Sequence, residues 1–144
     1  ELEPGWARPY NDRAILYRRV NRFDDALQAV QTAMKLEPES AEPLYNMGLI
    51  MDTLGYDDRA RDLYERSLAI DPEQAPAYYN IACGYGRRGE AFFATVYLRR
   101  AFEMNPRFMS YAFVDPDLKP IRYHPDFLRL FTKTYDSNGE EQLT

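Results

Sequence analysis

Four side chains near the C-terminus are of types that bind metal ions: Asp115, Asp117, His124 and Asp126. A real site needs a defined ligand set at fixed spacing. Here each Asp flanks a proline or begins a short helical stretch, and the lone His precedes Pro125. We therefore predict caps and turns at these positions and no metal site.

Two other features resemble parts of enzyme active sites. Cys83 could act as a nucleophile with His124, but no neighbouring residue in the sequence would lower its pKa. Gly84-Tyr85-Gly86 with Gly89 lacks the preceding strand and the Gly-Lys-Ser/Thr ending of a phosphate loop. We predict no catalytic residue and no cofactor, and hence a chain that is not an enzyme.

A pair of residues suited to recognition occurs twice. Tyr45-Asn46 and Tyr79-Asn80 are separated by about 34 residues, the spacing of a helical repeat. An amide side chain both donates to and accepts from a peptide backbone. A neighbouring ring can hold an apolar side chain.

The elements that would carry these residues recur with the same period. Small residues, helix stops and closing prolines each return after about 34 residues. The recurring sets are Ala14, Gly48 and Ala82; Ala26, Ala60 and Ala94; Asn21, Gly55 and Gly89; and Pro38, Pro72 and Pro106. Apolar residues at helical spacing lie between these markers, which predicts three helical hairpins. The small residues would let the helices of a hairpin approach closely.

The pattern resembles the tetratricopeptide repeat over residues 5–106. The matching first halves are Tyr10-x2-Arg13-Ala14-x2-Tyr17, Leu44-x2-Met47-Gly48-x2-Met51 and Tyr78-x2-Ile81-Ala82-x2-Tyr85. The second halves are Ala26-x3-Val30-x2-Ala33, Ala60-x3-Tyr64-x2-Ser67 and Ala94-x3-Leu98-x2-Ala101. The sequence departs from the family's pattern in two ways. No repeat has the Trp of that pattern, and the charged Arg13 occupies a position that is normally apolar. The resemblance implies an all-α fold, a right-handed α-solenoid of helix-turn-helix repeats.

In such an array the first helix of each hairpin lines a concave groove that binds extended or helical segments of other proteins. The resemblance therefore implies a non-enzymatic scaffold with a protein or peptide partner. The positions expected to face the groove are Arg8, Asn11, Asp12, Ile15, Arg19, Tyr45, Asn46, Leu49, Asp52, Tyr79, Asn80, Cys83 and Arg87. The five-residue clamp that some family members use for a C-terminal carboxylate is matched here only by Asn46, so we do not expect that mechanism.

The repeat register predicts the domain boundaries. Residues 1–4 would end an upstream repeat, because Leu2-Glu3-Pro4 resembles Leu36-Glu37-Pro38. Repeats would span 5–38, 39–72 and 73–106, and a helical C-terminal cap 107–135 would cover the last apolar face. Residues 136–144 would form a disordered acidic tail.

Composition restricts the partners. The net charge of −5 argues against general nucleic-acid binding, which needs a basic stripe. No apolar run is long enough for a membrane span. The single cysteine fits a reducing cytoplasm slightly better than a disulfide-free periplasmic protein, and the compartment stays open.

Two alternatives to groove binding stay open. The array could assemble with itself through its N-terminal end, where Trp6, Tyr10 and Arg13 lack an upstream neighbour. The chain could also be a regulatory segment of a larger enzyme.

Overall fold

A computed structural model of the chain describes residues 6–135 and 141–143. The predicted end of an upstream repeat at residues 1–4 lies outside the described residues. The helices are α1 (Arg8–Arg19), α2 (Phe23–Leu36), α3 (Ala41–Thr53), α4 (Asp57–Ile70), α5 (Ala75–Arg87), α6 (Ala91–Met104), α7 (Phe108–Val114) and α8 (Pro125–Arg129). A 3₁₀ helix, Pro116–Ile121, lies between α7 and α8, and two short strands follow, β1 (Lys133–Tyr135) and β2 (Glu141–Leu143).

The chain divides into two compact units, Glu1–Ala77 and Tyr78–Thr144. The first unit holds the hairpins α1–α2 and α3–α4 together with the start of α5. The second unit holds the rest of α5 and all later elements.

The predicted helix stops are confirmed by the backbone. Asn21, Gly55 and Gly89 have φ values of 60°, 84° and 75°, the left-handed conformation that ends a helix. In each turn the next residue's N–H donates to a carbonyl five positions earlier, at N···O distances of 2.8, 2.9 and 3.0 Å. The same residue types therefore build the same turn in all three hairpins.

The predicted closing prolines also mark helix ends. Helices α2, α4 and α6 end at Leu36, Ile70 and Met104, two residues before Pro38, Pro72 and Pro106. Proline lacks an N–H and restricts the residue before it, so a helix rarely continues through it.

Close helix contact in the α3–α4 hairpin depends on Gly48. A Cβ atom placed on Gly48 would lie 2.6 Å from Cε1 and 2.8 Å from Cδ1 of Tyr64. The Tyr64 ring is 1% exposed, so it fills the space that a side chain at residue 48 would need. Ala60 on α4 is buried as well, so small residues lie on both sides of this contact.

The core of the second unit combines repeat helices with the C-terminal segment. Its buried residues from α5 and α6 include Ala82, Ala94, Leu98, Ala101 and Phe102. The C-terminal segment adds Ala112, Leu118, Ile121, Phe127 and Leu130, each at most 4% exposed. Residues 107–132 thus contribute apolar side chains to the same core as the third hairpin, which is the role expected of a cap.

The end of the chain differs from the sequence prediction. The helical cap was expected to reach residue 135 and a disordered tail to follow, but β1 pairs antiparallel with β2, with Lys133 opposite Leu143. Backbone hydrogen bonds between the two strands account for their pairing, and the acidic residues of the tail gave no sign of it in the sequence. The tail positions 136–140 and 144 lie outside the described residues.

Replacing Gly48 by Ala should destabilise the chain by about 1–3 kcal/mol, because the added methyl group would displace the buried Tyr64 ring. Urea unfolding followed by circular dichroism measures the change. Gly84→Ala is the matched control: its nearest neighbour would be Arg87 Nη2 at 3.8 Å, an ordinary contact. Alanine should raise helix stability there by about 0.5–1 kcal/mol. Equal effects of the two substitutions would contradict the packing explanation.

Candidate peptide-binding surface

Helices α1 and α3 lie side by side in the first unit and are joined by two hydrogen bonds. Asn46 Nδ2 donates to Asn11 Oδ1 at 3.3 Å, and Arg18 Nη1 donates to Thr53 Oγ1 at 3.3 Å. Both bonds join residues 35 positions apart in the sequence. A constant offset along both helices means that α1 and α3 run parallel, as the first helices of consecutive repeats should.

One side of α1 and one side of α3 remain accessible. Helical spacing of about 100° per residue places Arg8, Asp12, Ile15 and Arg19 within about 60° of one another. The same spacing groups Tyr45, Leu49 and Asp52 on α3. Arg8, Asp12 and Arg19 are exposed, whereas Ile15, Tyr45, Leu49 and Asp52 are half-buried. We call these seven residues the α1–α3 face.

Two amides that were expected to face the groove lie in the interior instead. Asn11 is 1% exposed and Asn46 is 4% exposed, and they bond to each other. A buried amide needs a hydrogen-bond partner, and the neighbouring helix supplies it here. Asn11 and Asn46 therefore hold two helices together, and neither side chain is presented to a partner.

Helix α5 is the first helix of the third hairpin, and the chain's own C-terminal segment covers it. The Tyr79 hydroxyl donates to Asp115 Oδ2 at 2.8 Å, and the Cys83 thiol lies 3.9 Å from the same oxygen. Arg87 Nη1 forms an ion pair with Asp117 Oδ2 at 2.8 Å.

The exposed fractions of the α5 side chains agree with this contact to the C-terminal segment. Tyr79 and Cys83 are 7% and 4% exposed, so these two predicted groove residues are not open to solvent. Asn80 and Arg87 are half-buried.

The environment of Tyr79 keeps its hydroxyl a donor. Burial raises the pKa of Tyr79 far above its ordinary value, and neighbouring Cys83 and Asp115 raise it further. A phenol that stays protonated keeps donating to the Asp115 carboxylate throughout the neutral and mildly alkaline range. The Tyr79 hydroxyl therefore stays a donor in its contact with the C-terminal segment.

Asp115 and His124 serve as helix caps, as the sequence indicated. Asp115 accepts from the backbone N–H of Asp117 at 2.9 Å, and His124 Nδ1 accepts from that of Asp126 at 3.2 Å. Each begins a short helix whose first residue is proline.

One group of possible metal ligands occurs among the residues searched, and it differs from the group in the sequence analysis. Ligand atoms of Cys83, Asp115 and Asp117 lie within 4.8 Å of one another. Hydrogen bonds from Tyr79 and Arg87 already account for both carboxylates. The arrangement therefore needs no ion to explain it.

Sequence reasoning missed two kinds of contact. The Arg18–Thr53 bond was not anticipated, although the two residues are separated by one period plus one residue, like Asn11 and Asn46. Asp115 and Asp117 were read only as turn residues, and their contacts with α5 were missed. The break in the repeat after Pro106 removed the register that would have placed them.

Comparisons with known proteins agree with this helical-repeat architecture. A family model described as Tetratricopeptide repeat matches residues 41–74, the second hairpin. A comparison with curated proteins finds no match.

Three solved structures are similar. The crystal structure of MamA has a TM-score of 0.64 and 28% identity, over 73% of this chain and 61% of that chain. The TPR domain of Arabidopsis OM64 has a TM-score of 0.66 and 15% identity, over 78% of this chain and 88% of that one. A mutant O-GlcNAc transferase from Thermobaculum terrenum has a TM-score of 0.69 and 19% identity, over 92% of this chain and 24% of that one. The last two show the fold alone, and this chain spans less than two thirds of the MamA chain.

Apart from the two three-residue strands β1 and β2, the fold of the described residues is all-α and of the α-solenoid type, with three helix-turn-helix repeats. The second hairpin matches the tetratricopeptide-repeat family, and the fold of the chain is similar to that of solved tetratricopeptide-repeat structures, which supports a protein of this kind. Proteins of this family generally act as interaction scaffolds without catalytic activity. Among the described residues, no helix is both long and apolar enough to cross a membrane.

The contact between α5 and the C-terminal segment depends on Gly86. A Cβ atom at Gly86 would lie 2.6 Å from Leu118 Cδ2 and 2.9 Å from the Asp117 backbone oxygen. Gly86→Ala should therefore loosen the segment and expose Cys83. We expect faster reaction of Cys83 with a thiol reagent such as DTNB, by about tenfold for a local opening made about 1.4 kcal/mol easier.

Gly84→Ala is the matched control, because the nearest neighbour of a methyl group there is Arg87 Nη2 at 3.8 Å, an ordinary contact. It should leave the labelling rate unchanged. Labelling of Gly86→Ala at the wild-type rate would show that the C-terminal segment does not shield Cys83.

Proposed function

We propose that the chain is a non-enzymatic scaffold that holds an extended or helical segment of a partner protein against the α1–α3 face. The observation that carries this proposal is the parallel pairing of α1 and α3 through two hydrogen bonds. Because the helices pair through Asn11, Arg18, Asn46 and Thr53, helix geometry leaves Ile15 and Leu49 on the same open side. Tyr45 lies beside them and packs against the Tyr64 ring of α4, with 5.6 Å between the ring centres. Half-buried apolar residues beside exposed charges are typical of a surface that binds a peptide.

A second observation supports this use of a first helix. Within the second unit, α5 holds a non-repeat segment of the same chain through Tyr79 and Arg87. This intrachain contact supports the proposal, because it uses two of the positions that were expected to face the groove.

The proposal includes no catalytic step and no nucleic acid partner. Cys83 is buried against Asp115, and the negative net charge opposes general binding to phosphates. The likeness to part of an O-GlcNAc transferase chain concerns the fold alone and assigns no activity here.

Replacing Ile15 and Leu49 together by Ser should weaken binding of peptides selected from a displayed random library by about tenfold or more, equivalent to about 1.4 kcal/mol. The two substitutions remove apolar contact area from the centre of the α1–α3 face. Fluorescence anisotropy with the selected peptides measures the affinity.

Ile70→Ser is the control, because Ile70 is 43% exposed at the end of α4, away from this face. It should leave the affinity unchanged. A library that yields no binding peptide, or an equal loss in the control, would contradict the proposed function.

A second candidate function is self-assembly through the N-terminal end. Trp6 is 55% exposed, and with Pro9, Tyr10 and Arg13 it lines a cavity of about 340 Å³. A large exposed indole beside a cavity is typical of an interface residue.

If this end self-associates, light scattering should give an average mass that rises with concentration, and Trp6→Ala should lower it to that of the monomer. Leu128→Ala, which removes another exposed apolar side chain (40% exposed), serves as the control. A constant monomeric mass for the wild type would exclude this candidate.

A further inference from the structure

The second unit contains an internal example of how a first helix of this array binds a carboxylate. Arg87, the last residue of α5, pairs with Asp117 at 2.8 Å. The two side chains are 29% and 41% exposed, so the ion pair lies at the edge of the contact and not in the core. A guanidinium at the end of a first helix is therefore placed where it can bind an acidic residue of a passing segment.

Arg19 is the corresponding residue of the first repeat. It is the last residue of α1, as Arg87 is of α5, and each precedes its left-handed stop, Asn21 or Gly89, by two positions. Arg19 is exposed, and no described residue forms an ion pair or hydrogen bond with its side chain. The first repeat thus presents the same cation without the carboxylate that occupies it in the third.

The other arginines of α1 fall into two groups, those whose side chains contact a neighbouring residue and those without such a contact. The Arg13 guanidinium lies 5.7 Å from the centre of the Tyr10 ring, and Arg18 donates to Thr53. Arg8 is exposed and, like Arg19, has no partner among the described residues. Arg8 and Arg19 are therefore the two arginines of the α1–α3 face whose side chains contact no carboxylate of residues 6–135 or 141–143.

We infer that the partner segment of the proposed function is an acidic peptide whose carboxylates bind Arg8 and Arg19. This inference rests on the proposed function and adds the chemistry of the ligand. The two arginines are roughly 16 Å apart along the helix axis, at about 1.5 Å per residue. An extended peptide rises about 3.3 Å per residue and its side chains alternate between two sides, so two carboxylates that reach both arginines should lie four or six residues apart. Asp12 lies between them, so the residues between the two carboxylates should be neutral or basic.

The probe is a fluorescein-labelled peptide of about twelve residues made of Ala, Leu and Asn, with two Glu residues four positions apart so that both point to the same side of the extended peptide. Its matched version carries Gln at both positions. The Glu peptide should bind the full chain about tenfold more tightly than the Gln peptide at low salt, and this advantage should shrink as salt is raised. Arg19→Gln and Arg8→Gln should each weaken binding of the Glu peptide by about three- to fivefold, and neither should affect the Gln peptide.

Arg99→Gln is the control for net charge, because Arg99 is an exposed arginine on α6 in the second unit. It should leave the affinity for the Glu peptide unchanged. A loss as large as that of Arg19→Gln would show that only overall charge matters and would overturn the inference. Equal affinities for the Glu and Gln peptides would overturn it as well. So would a single-stranded oligonucleotide that binds as tightly as the Glu peptide and is equally sensitive to Arg19→Gln.

Different results would contradict the acidic-partner inference and the proposed function. If the random library yields peptides that need Ile15 and Leu49 but show no acidic pair, the scaffold function stands and the acidic-partner inference falls. If acidic peptides bind but Ile15 and Leu49 contribute nothing, the charge recognition stands and the apolar part of the proposed surface is wrong.

Discussion

Close contact between two helices of one hairpin is the constraint on which the rest of the structure depends. In the second hairpin this contact places the Tyr64 ring directly over Gly48, where even a methyl group would collide. The left-handed turn at Gly55 then fixes where the second helix starts. Because the contact uses one side of each helix, the remaining sides are left to pair with the next repeat or to face solvent.

Pairing between repeats uses polar side chains that are easily mistaken for recognition residues. Asn46 recurs one period later as Asn80, and each follows a tyrosine, which suggested a row of amides facing a partner. Asn46 is instead buried and donates to Asn11. Since a buried amide without a partner would cost free energy, the pair favours one alignment of α1 against α3. An amide at this position thus fixes the helix register, and the exposed residues beside it remain available for binding.

The sequence predicted the hairpins well because single residue types determine their boundaries. A positive φ favours Asn or Gly, and a proline prevents continuation, so Asn21, Gly55, Gly89 and the three closing prolines could be read directly. Exposure was harder to predict, because it depends on which neighbour covers a given side of a helix. Nothing local in the sequence says that Asp115 bonds with Tyr79, since the repeat ends at Pro106 and the later segment has no register to follow. The pairing of β1 with β2 was missed for a similar reason, because an acidic tail gives little local sign of a strand.

The first helix of a hairpin is therefore covered by a neighbouring element in two ways in this chain. Helix α1 is completed on one side by α3 through an amide pair, and α5 is covered by a segment that brings two carboxylates. The Asn11–Asn46 contact is buried and the Tyr79–Asp115 contact is partly buried, whereas the arginine at the helix end stays partly or fully exposed. Buried polar groups gain little from a passing ligand, because they are already satisfied and moving them would leave donors or acceptors unpaired. An exposed guanidinium loses little water when it pairs, and it can exchange one carboxylate for another. Selectivity for a partner in such an array is therefore expected from the ends and open sides of its first helices, even in a chain whose total charge is negative.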